Sequence, residues 1–189
     1  GNYGWPHVSG YRDDMAYQHA RWWDAPGCPS LTFSDITIDP SVPVADETAW
    51  TEPMVAPLAT LFTVPSDHDF QDPACGGVDF ICWPTVAASS IDIYPAGLTG
   101  WPGMENSLLV TALKRGSVYR IALSPDGQSA AGAPERLWRT DNRYRDLAIS
   151  PDGRRIFVIT DTAGQHDTAA GGVMGSVANP GAILVFDAP

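Results

Sequence analysis

Glycine (18) and proline (17) fill 35 of the 189 positions, and nine of the prolines, Pro6, Pro26, Pro29, Pro40, Pro43, Pro53, Pro57, Pro65 and Pro73, fall within the first 80 residues. Proline lacks the amide that a helix interior needs and clashes with the preceding turn, so no helical period longer than roughly ten residues survives there. Only 17% of residues are charged. A helix bundle, a coiled coil and an acidic disordered tail are excluded together, because each needs fewer breakers or more charge. A turn-rich, all-β protein remains. With 44% hydrophobic residues, including seven Trp, six Tyr and six Phe, the chain has enough apolar surface for a packed core.

The two halves read differently. Residues 1–88 form a long loop-rich excursion with short strands, and one short helix is expected near Asp13 to Trp23, where Met15, His19 and Trp22 or Trp23 recur on one side. From residue 89 the text becomes β-rich. Ser90–Tyr94, Ser107–Leu113, Ser117–Leu123 and Glu135–Arg139 are four short runs joined by Gly and Pro turns, the pattern of one antiparallel four-stranded unit. Asp146–Ile149, Arg155–Thr160 and Ala182–Phe186 give three more strands. Ser-Pro-Asp-Gly occurs twice, at 124–127 and 150–153, each time between strands, where Pro presets φ and Gly accepts the left-handed position. Repeated four-stranded units of about 40 to 50 residues indicate a β-propeller. The units 89–140 and 141–189 are then one blade and a final blade lacking one strand. A ring closes with about four blades or more, so the remainder is expected from sequence that is not in this chain.

The net charge is −11, with pI near 4.5, a field that repels phosphate backbones and anionic lipid surfaces. Nucleic acid is thereby excluded as a partner. The charge is uneven, however. Residues 114–155 hold nine of the eleven cations against five acids, whereas residues 1–113 carry two cations against fourteen acids. Either an anion site or a basic solvated face accounts for that island.

Cys75 and Cys82 lie seven apart around Gly76-Gly77, a spacing that lets a tight loop close into a disulfide and suggests an oxidising compartment; Cys28 is left over. No CxxC pair is present, so zinc held by cysteine is excluded. The one long uncharged run, 168–186, contains four glycines and a proline and reads as a loop leading into a final strand, not as a membrane span. No GxSxG elbow, P-loop or GxGxxG after a strand occurs, so serine hydrolysis, nucleotide binding and nicotinamide binding have no support.

Specific residues then carry a resemblance. Gly1-Asn-Tyr-Gly-Trp-Pro6, Gly10-Tyr-Arg-Asp-Asp14, Val42-Pro-Val44 with Glu47 and Trp50, Ile81-Cys-Trp-Pro-Thr-Val-Ala87, Leu113-Lys-Arg-Gly116, Asn142-Arg-Tyr-Arg-Asp146 and Thr160-Asp-Thr-Ala-Gly164 follow one another in an order that resembles the C-terminal part of the soluble quinoprotein glucose dehydrogenases. That resemblance covers nearly the whole chain. It implies a six-bladed β-propeller that uses pyrroloquinoline quinone (PQQ) and calcium, sits in the periplasm or is secreted, and is a homodimer when complete.

It also implies roles. Lys114, Arg143, Arg145 and Thr85 fall at positions that bind PQQ, a planar tricarboxylate for which guanidinium forks are suited. Arg143 and Arg145 are two apart, so on an extended chain they share one side while Tyr144 faces the other. Trp83 and Phe80 fall at the sugar pocket, Phe80 where other members carry tyrosine. Tyr3, Ser9, Tyr11, Asp13 and Glu47 correspond to ligands of structural calcium, whose preference for six to eight oxygens suits a mixture of carbonyls and carboxylates. The implied reaction oxidises an aldose such as glucose at the anomeric carbon to the lactone, with electrons passed to an external acceptor. The family's catalytic histidine lies before this chain begins, and none of His7, His19, His68 or His166 takes its place, so the isolated chain is expected to be weakly active or inactive. A non-catalytic propeller module that binds a sugar or protein, and a propeller lactonase, are the rival readings.

Overall fold

The computed structural model describes residues 1–34, 37–71, 77–168 and 172–189. It divides into two compact units, Gly1–Asp72 and Pro73–Pro189, and its regular structure is almost entirely antiparallel strand.

In the first unit, β1 (Gln18–Ala20) pairs with β2 (Val44–Asp46), and the remainder is loop held by side chains. The helix expected near Asp13 to Trp23 does not form. Asp14 and Ala16 take φ of 58° and 59°, a left-handed conformation that no α-helix of L-residues can contain. Asp14 is held there because its carboxylate accepts from both the Thr48 amide (2.8 Å) and the Thr48 hydroxyl (2.6 Å). β1 and a 3₁₀ turn at Trp22–Asp24 stand in the helix's place.

The second unit opens with a single α-helical turn, α1 (Asp79–Cys82). The sheet that follows is ordered β3 (Ala88–Tyr94), β4 (Ser107–Ala112), β5 (Ser117–Ala122), β6 (Glu135–Arg139), each strand antiparallel to the next. These are the four strands legible in the sequence. A three-stranded sheet follows, ordered β11 (Ile183–Asp187), β8 (Arg155–Thr160), β7 (Tyr144–Ile149). Between β8 and β11 runs a short hairpin that the sequence did not announce, β9 (His166–Asp167) with β10 (Val173–Met174). Among the described residues no helix is long and apolar enough to cross a membrane.

The two sheets pack β3 against β7. Their shared core comprises Tyr94, Trp101, Met104, Leu109, Val118, Tyr144, Leu147, Ile156 and Val158. Burying so many aromatic and branched side chains supplies the main driving force, at roughly 25 cal/mol per Å² of apolar surface. The buried Tyr94 hydroxyl is satisfied: it donates to the Gly153 carbonyl (2.9 Å) and accepts from the Trp101 amide (2.8 Å). Asp146 accepts from the Ser90 hydroxyl (2.5 Å) and so ties β7 to β3.

Both Ser-Pro-Asp-Gly turns are built alike. Ser124 and Ser150 donate to Asp126 and Asp152, each at 2.6 Å, and Gly127 and Gly153 take φ of 69° and 71°. Only their surroundings differ. A Cβ on Gly153 would meet the Tyr94 hydroxyl at 2.3 Å and Leu98 Cγ at 2.6 Å, whereas one on Gly127 would meet nothing within 4 Å. Gly127→Ala is therefore expected to cost about 1 kcal/mol, from the backbone alone. Gly153→Ala is expected to cost about 2 kcal/mol more, because the buried tyrosine must also move. Paired denaturant titrations check this, and equal losses would show that the turn and not the Tyr94 contact sets the cost.

Candidate functional site

The site residues of the second unit gather around one buried cation. Leu113 and Lys114 follow β4, where their amides donate to the carbonyls of Ala87 and Val86 (3.0 and 3.3 Å). This brings the lysine stem under the segment that leaves α1. Lys114 is only 4% exposed, and its ammonium donates to the Phe80 carbonyl (2.8 Å), the Trp83 carbonyl and the Thr85 hydroxyl (3.4 Å). Four residues expected at the site, Lys114, Phe80, Trp83 and Thr85, are thus brought together by one side chain. Among the described residues its three contacts are all to neutral oxygens. Burial, with Arg115 beside it, holds the ammonium down to about 8, and Asp167 only partly offsets this. A buried ammonium whose hydrogen-bond partners are all neutral keeps a positive charge that no carboxylate within hydrogen-bond reach offsets.

The arginine pair sits at the start of β7. Asn142, fully buried, fixes the entry: its amide group donates to Thr140 Oγ1 and Asn179 Oδ1, and its carbonyl accepts the Asn179 amide (2.8 Å). Tyr144 is fully buried and its hydroxyl meets Thr140 Oγ1 (2.9 Å). Arg143 and Arg145, which the two-residue spacing puts on one side of an extended chain, converge on Asp161. Arg143 Nε lies 3.1 Å, and Arg145 Nη2 2.9 Å, from Asp161 Oδ2. A register shift between Tyr144 and Asp146 makes Arg145 an extra residue in the ladder. Such a bulge re-aims a side chain. It is what lets Arg145 face Asp161 while Asp146 reaches Ser90.

One short segment connects the two groups. Arg143 Nη1 donates to the Gln165 carbonyl (2.5 Å), and two residues later the Asp167 amide donates to the Lys114 carbonyl (3.0 Å). The Asp167 carboxylate takes Arg139 (3.0 Å) and lies 3.5 Å from Arg115. The basic island of residues 114–155 is thus largely folded into a cluster, with Asp161 and Asp167 as its counter-ions. Sequence reading missed both acids. Asp161 lay inside the quoted Thr160-Asp-Thr-Ala-Gly164 run with no role attached, and Asp167 gave no local signal.

Of the histidines, His166 is fully buried, with its ring nitrogens 3.0 and 2.9 Å from the Asp167 and Ser176 carbonyls. His7 packs between His19 and Trp50, and His68 against Phe70. Cys28 is a free thiol. Cys75 lies outside the described residues, as does its expected pairing with Cys82.

In the first unit Glu47 is 1% exposed and organises the loop ahead of it. Its carboxylate accepts the amides of Ser9 (2.7 Å), Asp13 (3.2 Å) and Asp14 (3.2 Å). Ser9, Asp13 and Glu47 are thus brought together. Tyr11 instead donates its hydroxyl to the Leu58 carbonyl (3.3 Å), and Tyr3 is 68% exposed. Among the described residues no group of three or more His, Cys, Asp or Glu side chains is arranged to hold a metal ion, so any cation here would depend on backbone carbonyls.

Residues 66–168 match the family model described as glucose/sorbosone dehydrogenase. The chain is also 41% identical, over 98% of its length, to quinoprotein glucose dehydrogenase B of Acinetobacter calcoaceticus, of which it spans 40%.

Proposed function

This chain belongs to the glucose/sorbosone dehydrogenase family, and from that premise we propose that it forms one part of a quinoprotein that oxidises an aldose such as glucose at its anomeric carbon to the lactone. The reading includes PQQ and calcium as cofactors and an external acceptor for the electrons. The name of its Acinetobacter relative supports the quinone and the sugar.

The observation that carries the proposal is Lys114: a 4%-exposed ammonium on neutral oxygens, tied through residues 165–167 to an arginine pair. PQQ carries three carboxylates, and the cations present fit it in number and kind. Lys114, Arg143 and Arg145 would hold it, with the Thr85 hydroxyl beside them; Arg145 is half-exposed and spends one nitrogen on Asp161. When bound, PQQ supplies the two-electron sink. This chain's residues bind and orient. Trp83 offers an aromatic face to a sugar ring, and Phe80, 52% exposed, lines the approach without a hydroxyl to direct the sugar. No general base is assigned to this chain.

The two sheets of the second unit are read as one complete blade and a final three-stranded blade of a six-bladed propeller, an arrangement supported by the packing of β3 against β7. For calcium, the first unit offers the Asp13 and Glu47 carboxylates and the carbonyls of Tyr3, Ser9 and Tyr11, the right donor types, although three amides now occupy Glu47. A periplasmic or secreted setting, the Cys75–Cys82 disulfide and a homodimer complete the reading.

The test is aldose oxidation with an artificial electron acceptor by the whole protein, alongside calorimetric titration with PQQ. Oxidation is expected only after PQQ and calcium are added, and chelation of calcium should abolish it. Full activity without PQQ, or no heat on adding it, would overturn the proposal, and the latter result would favour a non-catalytic binding module.

A further inference from the structure

The Asp161–Gly164 turn does more than close the loop after β8. Asp161 is held from both sides by backbone: its amide donates to the Arg143 carbonyl (2.8 Å) and its carbonyl accepts the Gly181 amide (3.0 Å). Its Oδ1 accepts the Thr162 amide (3.1 Å), which fixes the rotamer and leaves Oδ2 for the two guanidinium groups at 3.1 and 2.9 Å. The side chain is 16% exposed. Burial raises its carboxyl, but the hydrogen bonds from Arg143 and Arg145 outweigh this and keep it below the ordinary carboxylate range.

Gly164 completes the arrangement. Its φ is +131°, and a Cβ there would lie 2.6 Å from Arg143 Nε and 3.0 Å from both Cδ and Cζ. The backbone of this turn therefore forms a seat that the Arg143 guanidinium approaches more closely than a side chain would allow, while the Gln165 carbonyl accepts from Nη1. Arg143 is fixed by three independent contacts. Among the described residues, Asp161 is the one ion-pair partner of Arg145.

We propose that Asp161 and the glycine seat at 164 are positioning residues that hold Arg143 and Arg145 in one orientation, ready for the carboxylates of a planar polyanion. The inference rests on the PQQ reading above. A rotamer-rich arginine loses side-chain entropy when it is immobilised on binding, and an arginine already immobilised does not. The opposing effect, repulsion between Asp161 and an incoming anion, is muted because that carboxylate is neutralised by two guanidinium groups.

Two substitutions approach the seat from opposite sides. Asp161→Asn, with its oxygen kept by the Thr162 amide, turns an amide N–H toward both guanidinium groups and releases them; Gly164→Ala pushes Arg143 off the turn. Each is expected to weaken PQQ binding about tenfold in calorimetry. With PQQ saturating, aldose KM and kcat should stay near wild type, a split that a general folding defect would not produce. Affinity unchanged or improved in both variants would overturn the positioning role. Loss of kcat in step with the thermal midpoint would overturn it too, reassigning the turn to stability. If the wild-type protein itself takes up no PQQ, the cofactor reading fails first.

Discussion

Replacing Arg143 and Arg145 together by alanine is expected to lower PQQ affinity by roughly a hundredfold or more, since each charge-assisted hydrogen bond to a carboxylate contributes about 1.5–3 kcal/mol. The loss has a second source. Asp161 receives both guanidinium groups through a single oxygen, so deleting them leaves an uncompensated anion beside the place where carboxylates must bind. Each single variant should retain part of the neutralisation, and the double loss should therefore exceed the sum of the single losses. The salt dependence of binding should also flatten as the cations go. Calorimetry at two ionic strengths measures both effects, and a double variant within threefold of wild type would remove the arginines from the site.

Lys114→Met is the second substitution with a large consequence. It deletes the donor shared by the Phe80 and Trp83 carbonyls and the Thr85 hydroxyl, leaving acceptors without a partner at about 1–3 kcal/mol each where they are buried. It also deletes a buried positive charge from the anion site, and PQQ affinity should fall about fiftyfold for the loss of one charge-assisted contact and its ordered loop. A pH signature separates the two roles. In the folded chain Lys114 is held to about 8 from an ordinary 10.5. Between those values the unfolded chain keeps the proton and the folded chain releases it, so this group's contribution to stability rises with pH across that window. Below 8 the buried charge weighs against folding. Anion binding runs the other way, weakening above pH 8 as the ammonium discharges. Lys114→Met should flatten both dependences, as read by thermal midpoints and PQQ titrations at pH 7 and 9.5. Unaltered profiles would show that the ammonium is neither buried in solution nor part of the site.

Much of the second unit was legible because its information is local. Short β-rich runs bounded by Gly and Pro turns mark β4 and β5, the Ser-Pro-Asp-Gly turns fix two reversals through φ and a serine–aspartate hydrogen bond, and the two-residue spacing of Arg143 and Arg145 puts them on one side of an extended chain. The first unit was harder to read. The helix expected near Asp13 to Trp23 had a plausible apolar repeat, but Asp14 bonds Thr48, 34 residues away, and that contact decides the backbone where a period count cannot.

The resemblance named Lys114, Phe80, Trp83 and Thr85 without showing that one ammonium gathers the other three, since that depends on β4 delivering the lysine beneath the α1 segment. It named Arg143 and Arg145 without their shared counter-ion.

What the residues determined unaided is composition-level and short-range: an all-β chain with frequent turns, an acidic surface and one island of cations. What only the folded molecule decided is how that island is spent. Six of its nine cations pair with acids, five of them at Asp161, Asp167 and Glu135 and the sixth, Arg155, at Asp187, while Lys114 is buried on neutral oxygens. The difference arises because a charge's fate in a low-dielectric interior depends on which distant strand places an oxygen within about 3 Å of it, and that is a property of the packed sheets.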